Sequence, residues 1–231
     1  MESHDVPATV LFKLWPQIEA NKNKIITGTV VVLAAVAIIF FISWRHQQNQ
    51  IAAGDALTQT LISIPPNADP SRLSGGYLEI ADSYAGTPAG ERALVEAAGI
   101  LFAQGKYTDA QADFQRYLDE HPDDQFSGLA ALGVGRCMEA EGKIDEAKGQ
   151  YQHVVTDFAD EQSVNQARFS LARVNMQQGH YTDAFQGFQQ VLNADPYGAL
   201  GNEARQYAFE LQSKLPRQAP NAPSSSFNLS H

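Results

Sequence analysis

Cysteine is almost missing from this 231-residue chain: Cys137 stands alone, so no disulfide can form within one molecule in any redox compartment. Metal patterns are missing too. The six histidines, at 4, 46, 121, 153, 180 and 231, are scattered, and neither a His-x-x-x-His pair nor a carboxylate group stands at ligand spacing. The spacing therefore indicates no metal site. A phosphate loop, a nucleophile elbow and a dinucleotide fingerprint are all absent, so no cofactor, small-molecule substrate or catalysis is expected. The adjacent acids Asp123-Asp124 and Asp160-Glu161 have the residue types of an acid–base pair. Both fall at loops, where solvated carboxylates are ordinary.

Basic residues are scarce. Sixteen Lys and Arg face 26 Asp and Glu, for a formal charge of −10. Lys13, Lys22 and Lys24 balance Glu2, Asp5 and Glu19, so the whole excess lies after residue 24. Such acidity argues against nucleic acid or an anionic lipid surface as partners held by bulk electrostatics, and leaves solubility as its plain role.

What is present begins with a run that carries no charge. Ile25 to Trp44 is twenty residues rich in Val, Ala, Ile and Phe. At about 1.5 Å per residue such a helix crosses a bilayer core of ~30 Å. Trp44 supplies an interfacial aromatic and Arg45 a polar stop. A cleavable signal has an apolar core of roughly 7–15 residues and small residues at its cleavage site. This run is longer and ends in the bulky Phe40-Phe41-Ile42-Ser43-Trp44, so residues 25–44 are read as a transmembrane signal anchor that stays. Lys13, Lys22 and Lys24 precede the run, and only Arg45 lies close behind it. This asymmetry places residues 1–24 in the cytoplasm and the rest outside.

Residues 1–24 carry Val10, Leu11, Leu14, Trp15 and Ile18 at helical spacing, interrupted by Pro16, and are read as a tail lying against the bilayer. Residues 45–70 are read as a juxtamembrane helix and linker, with Ile51, Leu57, Leu61 and Ile64 in helical register and Pro65-Pro66 as its stop. From Pro216 to His231 the composition is Pro, Ala, Ser and Asn, which buries no core and predicts disorder; Asn228-Leu229-Ser230 there is a chance glycosylation match.

Between these flanks one heptapeptide returns. Gln104 to Ala110 reads QGKYTDA, Glu141 to Ala147 reads EGKIDEA, and Gln178 to Ala184 reads QGHYTDA, with glycines at 105, 142 and 179. The period is 37 residues, the sign of a stacked-repeat protein. Each copy lies between an Ala-rich stretch and an aromatic-containing one, so the glycine closes a tight turn between two antiparallel helices, using left-handed angles that lack a Cβ penalty. Other residues align at the same period: Ala93, Ala130, Ala167 and Ala204; Phe114, Tyr151 and Phe188; Pro122, Ala159 and Pro196. Cys137 aligns with Ile100 and Val174, which makes it a buried apolar residue rather than a nucleophile.

This column structure resembles the tetratricopeptide repeat family. The first copy offers Ala98, Gly105, Tyr107, Ala110, Phe114 and Pro122, and the third Ala172, Gly179, Tyr181, Ala184, Phe188 and Pro196. The middle copy has Gly135, Gly142, Ile144, Ala147 and Tyr151, with Ala159 in place of Pro. The typical repeat is about 34 residues, so three extra residues are expected in the loops between repeats. The resemblance implies an all-α fold, an N-terminal transmembrane helix followed by a helical-repeat solenoid over residues 71–215. Clear repeats are expected at 91–127, 128–164 and 165–201, with a capping helix over 202–214.

In such stacks the first helix of each pair lines a concave groove. The resemblance then places Arg92, Val95 and Phe102, Leu132, Arg136 and Glu139, and Phe169, Arg173 and Met176 along it. Arg136 and Arg173 share a column and are candidates to hold a carboxylate or acidic peptide segment, with Phe102, Phe169 and Met176 giving apolar contact. The competing reading pairs both arginines with neighbours such as Glu139.

The lysine flank Lys22-Asn23-Lys24, the run Ile25–Trp44 with Arg45-His46 behind it, and the repeats together resemble the YfgM family of bacteria. The resemblance implies an inner-membrane protein with a periplasmic repeat domain. Its partners would be proteins or peptide segments, among them Sec translocon subunits, exported chains and periplasmic chaperones. A scaffold for cell division or outer-membrane assembly, using the same groove, is the alternative.

Overall fold

The computed structural model describes residues 21–63 and 69–215, and the described residues form helices joined by short turns, with no strand among them. The all-α class expected from the repeats is the class observed. The expected tail up to residue 20, the Pro65-Pro66 stop, and the segment from 216 with its Asn228 match lie outside the described residues.

The chain divides into two units, Met1–Asp55 and Ala56–His231. The first unit contains the apolar run, which belongs to helix α1, Lys22–Ser63, of 42 residues. Among the described residues it is the one helix long and apolar enough to cross a membrane. The large apolar side chains described within the run are exposed, Val31 at 62% and Phe40 at 72% among them. A helix that is apolar all round has no single stripe to turn toward a core.

The second unit holds α2 (Pro70–Ser83), α3 (Pro88–Ala103), α4 (Tyr107–Glu120), α5 (Ser127–Ala140), α6 (Ile144–Asp157), α7 (Glu161–Gln177), α8 (Tyr181–Ala194) and α9 (Ala199–Leu211). Each packs on its sequence neighbours; in addition α3 touches α5, α5 touches α7 and α7 touches α9. The first helices of successive pairs therefore form one continuous layer.

The three repeated glycines act identically. Gly105, Gly142 and Gly179 have φ of 76°, 80° and 80°. In the first copy the amides of Gly105 and Lys106 donate to the carbonyls of Phe102 and Leu101, and the same two bonds recur from Gly142 and Lys143 and from Gly179 and His180. This double bond satisfies the last carbonyls of each first helix and reverses the chain into the second.

The columns are the core. Ala93, Ala130, Ala167 and Ala204 are fully buried, as are Ala110, Ala147 and Ala184 beneath the turns. Small residues let the helices approach: a Cβ on Gly135 would stand 2.7 Å from the Tyr151 ring, and one on Gly133 2.5 Å from Phe114. Phe114, at 5% exposure, and Tyr151, at 0%, fill the space so made. Burial of each such ring contributes about 1.5–3 kcal/mol.

The extra residues of the 37-residue period do not sit only in loops. The second helices are all 14 residues long, whereas the first helices α3, α5 and α7 have 16, 14 and 17. The connector 121–126 takes up part of the surplus and α7 the rest. Each junction is closed by different chemistry. At the first, Ser127 Oγ accepts from the Asp124 amide and donates to the His121 carbonyl. At the second, Asp160 caps α7 by accepting from the Gln162 and Ser163 amides. At the third, Asp195 accepts from the Gly198 and Gly201 amides.

Candidate protein-binding groove

The layer formed by α3, α5, α7 and α9 encloses a cavity of about 860 Å³. Phe102 comes from α3, Arg136 and Glu139 from α5, Gln166, Phe169 and Arg173 from α7, and Leu200 and Glu203 from α9. A smaller pocket of about 230 Å³ adjoins it between α3 and α5, lined by Val95, Phe126, Leu129 and Leu132 among others. Phe102 and Arg136 border both spaces. The larger volume falls in the range of about 300–1,000 Å³ that holds a whole small ligand or a stretch of peptide; the smaller fits a single side chain.

The two arginines of one sequence column have different surroundings. Arg173 Nη2 donates to Glu139 Oε1, and Glu139 Oε2 accepts from the Tyr151 hydroxyl at 2.7 Å. Burial, followed by that hydrogen bond, pushes the Tyr151 phenol well above its ordinary value. Arg173 Nε is buried without a hydrogen-bond partner. The pairing considered for both arginines thus holds for Arg173. Arg136 is exposed at the boundary of the two spaces and, among the described residues, makes no hydrogen bond or ion pair. Among the described residues this unpaired guanidinium shares with Phe102 the border of the two spaces.

The other expected groove residues take varied positions. Phe102 is half-buried at the shared border. Phe169 is 7% exposed and meets Phe188 and Tyr207 edge-on, so it forms a wall of the cavity rather than a reaching contact. Leu132 is fully buried and shows only its edge to the small pocket. Met176 does not border either space and packs instead in the core with Phe169 and Phe188. Three groove residues were legible but unread. The column of Arg92, continued at the period of 37, passes through Leu129, Gln166 and Glu203, and all four border the groove.

The remaining reactive groups have structural surroundings. Cys137 is fully buried, and burial pushes its thiol up to about 11. Asp160 is a helix cap, and Asp124 sits against Tyr117, Glu91 and His121.

A model of the tetratricopeptide repeat-like domain matches residues 15–150 and 119–215. The chain belongs to this family. Comparison with curated proteins returns no match. A tetratricopeptide repeat protein from Parabacteroides merdae superposes with TM-score 0.53 at 12% identity, over 72% of this chain and 61% of that one. The chain thus spans about three fifths of that protein's length. Kinesin-light-chain repeats from Podosopora anserina superpose with TM-score 0.51 at 14% identity, over 74% of this chain and 87% of theirs. These likenesses establish the fold, a tetratricopeptide-like solenoid.

Proposed function

We propose that this protein is a membrane-tethered module that captures proteins or peptide segments in its repeat groove, as an accessory of the Sec translocon and periplasmic chaperones. The observation that carries the reading is Arg136: an unpaired guanidinium at the border of a peptide-sized cavity and an apolar pocket, beside Phe102. A carboxylate on an extended segment meets that charge with paired hydrogen bonds, while the segment's apolar side chain takes the small pocket. The exposed apolar surface of α1 and the lysine flank before it support a span through residues 25–44, cytoplasmic N-terminus and extracytoplasmic repeats. Anchoring raises the local concentration of the groove beside a membrane complex, so weak contacts suffice. The translocon as partner rests on the YfgM-like arrangement of flank, run and repeats. Scaffolding of division or outer-membrane assembly is the other use of the same groove.

A photo-activated crosslinker in place of half-buried Leu200, in intact membranes, tests this. Translocon subunits, chaperones or exported chains should be captured, and Arg136→Glu should abolish the products. Capture of division or outer-membrane assembly proteins instead would replace the export reading with the scaffold one. Products unchanged by Arg136→Glu would remove the groove from either.

A further inference from the structure

The first junction gathers three side chains that sequence spacing keeps apart. Glu91 stands in the first turn of α3, His121 ends α4, and Asp124 lies in the connector to α5. One ligand-type atom from each lies within 4.8 Å of the other two, and His121 Nδ1 is 3.7 Å from Glu91 Oε1. Metal–ligand bonds of about 2.0–2.2 Å at tetrahedral angles place neighbouring donors roughly 3.3–3.6 Å apart. Small side-chain rotations close the three donors on one ion.

The surroundings are those of a metal site rather than of an ordinary ion pair. One carboxylate oxygen of Glu91 and one of Asp124 lie within 4.8 Å of each other, and among the described residues no Lys or Arg forms an ion pair with either. A cation held between two carboxylates so placed relieves their mutual repulsion. Behind His121, its Nε2 is 3.9 Å from Glu120 Oε2 while Nδ1 faces Glu91. Asp124 is oriented as well: Oδ2 accepts from the Tyr117 hydroxyl at 3.1 Å and Oδ1 from the Gln125 amide at 2.6 Å. Each oxygen keeps a lone pair for a further partner.

We propose that Glu91, His121 and Asp124 bind a divalent transition-metal ion of the zinc class. The imidazole sets the site apart from the all-oxygen cages of calcium and magnesium, and the absence of a thiolate sets it apart from soft-metal sites. Three protein donors leave one position for water. The ion ties the start of α3 to the α4–α5 connector and so staples the first helix pair to the second.

The test is titration of the full-length, tag-free chain in detergent micelles with Co²⁺, followed by visible absorption and then by displacement with Zn²⁺. One Co²⁺ per chain should appear with the visible bands of a low-coordinate nitrogen–oxygen site, and Zn²⁺ should remove them. Partners behind a ligand are worth about 10–100-fold in metal affinity, so loss of a ligand itself in His121→Ala or Glu91→Gln should weaken binding at least a hundredfold. His153→Ala, which removes the other histidine paired with a carboxylate, should change nothing. Asp124→Asn, in the exposed connector, carries the test if His121→Ala fails to fold. Absence of a visible band at saturating Co²⁺, or binding that survives these ligand variants, overturns the site.

Discussion

Helix α1 and the repeat helices are built from the same apolar residue types and dispose of them in opposite ways. In α1 Val31 is 62% and Phe40 72% exposed; in the second unit Val154 and Phe188 are at 0%. The difference is pattern. A repeat helix carries its apolar residues on one stripe and meets a neighbour whose stripe repeats at 37 residues, so each unit buries the next. The apolar run of α1 has no polar face and so no single stripe to bury against a neighbour, which is the pattern behind the proposed span.

Four substitutions or conditions break this contrast, from the largest effect to the smallest. Phe188→Ala removes a fully buried ring stacked on Tyr207 and should lower the stability of the repeats by about 3–5 kcal/mol, read by denaturant melting. If α1 is the proposed span, the variant should still sediment with the membrane. Val36→Arg, in the middle of the proposed span, should do the reverse: about 2.5–3.5 kcal/mol against insertion, seen as loss from the membrane pellet, with the repeat melt unchanged. Gly142→Ala forces a Cβ onto a backbone at φ 80° in otherwise open space, and should lower the melt by about 1–2 kcal/mol.

The fourth concerns pH. The Tyr151 phenol is raised in the fold, first by burial and then by Glu139, and the Cys137 thiol is pushed up to about 11 by burial. The unfolded chain releases these protons first, near the ordinary values of about 10 and 8.5. The stability they contribute is therefore complete below those values and declines as pH rises through and above them. Melting temperature should fall on the alkaline side, and less so for Cys137→Ala. Thiol labelling of the native chain at pH 8 should be as slow as global opening. Rapid labelling would place Cys137 outside the core.

Repetition explains which parts of the fold were legible. An alanine such as Ala130 is required by the same neighbours as Ala93 and Ala167, so one alignment at 37 reveals all three, and the turn glycines follow for the same reason. Junctions carry no such redundancy. Ser127, Asp160 and Asp195 close the three connectors by three unrelated hydrogen-bond schemes, and only coordinates show them. Glu91, His121 and Asp124 meet across such a junction, so their spacing in sequence carried no sign of it. The groove was half legible. Its columns were visible, but Arg136 and Arg173 look alike in sequence, and their difference depends on Glu139 being oriented by Tyr151 toward one of them.

That difference offers the most direct test of the account. Arg136→Glu and Arg173→Glu are compared for crosslinked product from position 200 and for thermal melting. The account predicts that Arg136→Glu loses the product and keeps the wild-type melt, because that guanidinium makes no hydrogen bond or ion pair among the described residues. Arg173→Glu should lower stability by about 1–3 kcal/mol, because it strips half-buried Glu139 of a charged hydrogen bond. Equal effects of the two substitutions on both readouts would contradict it.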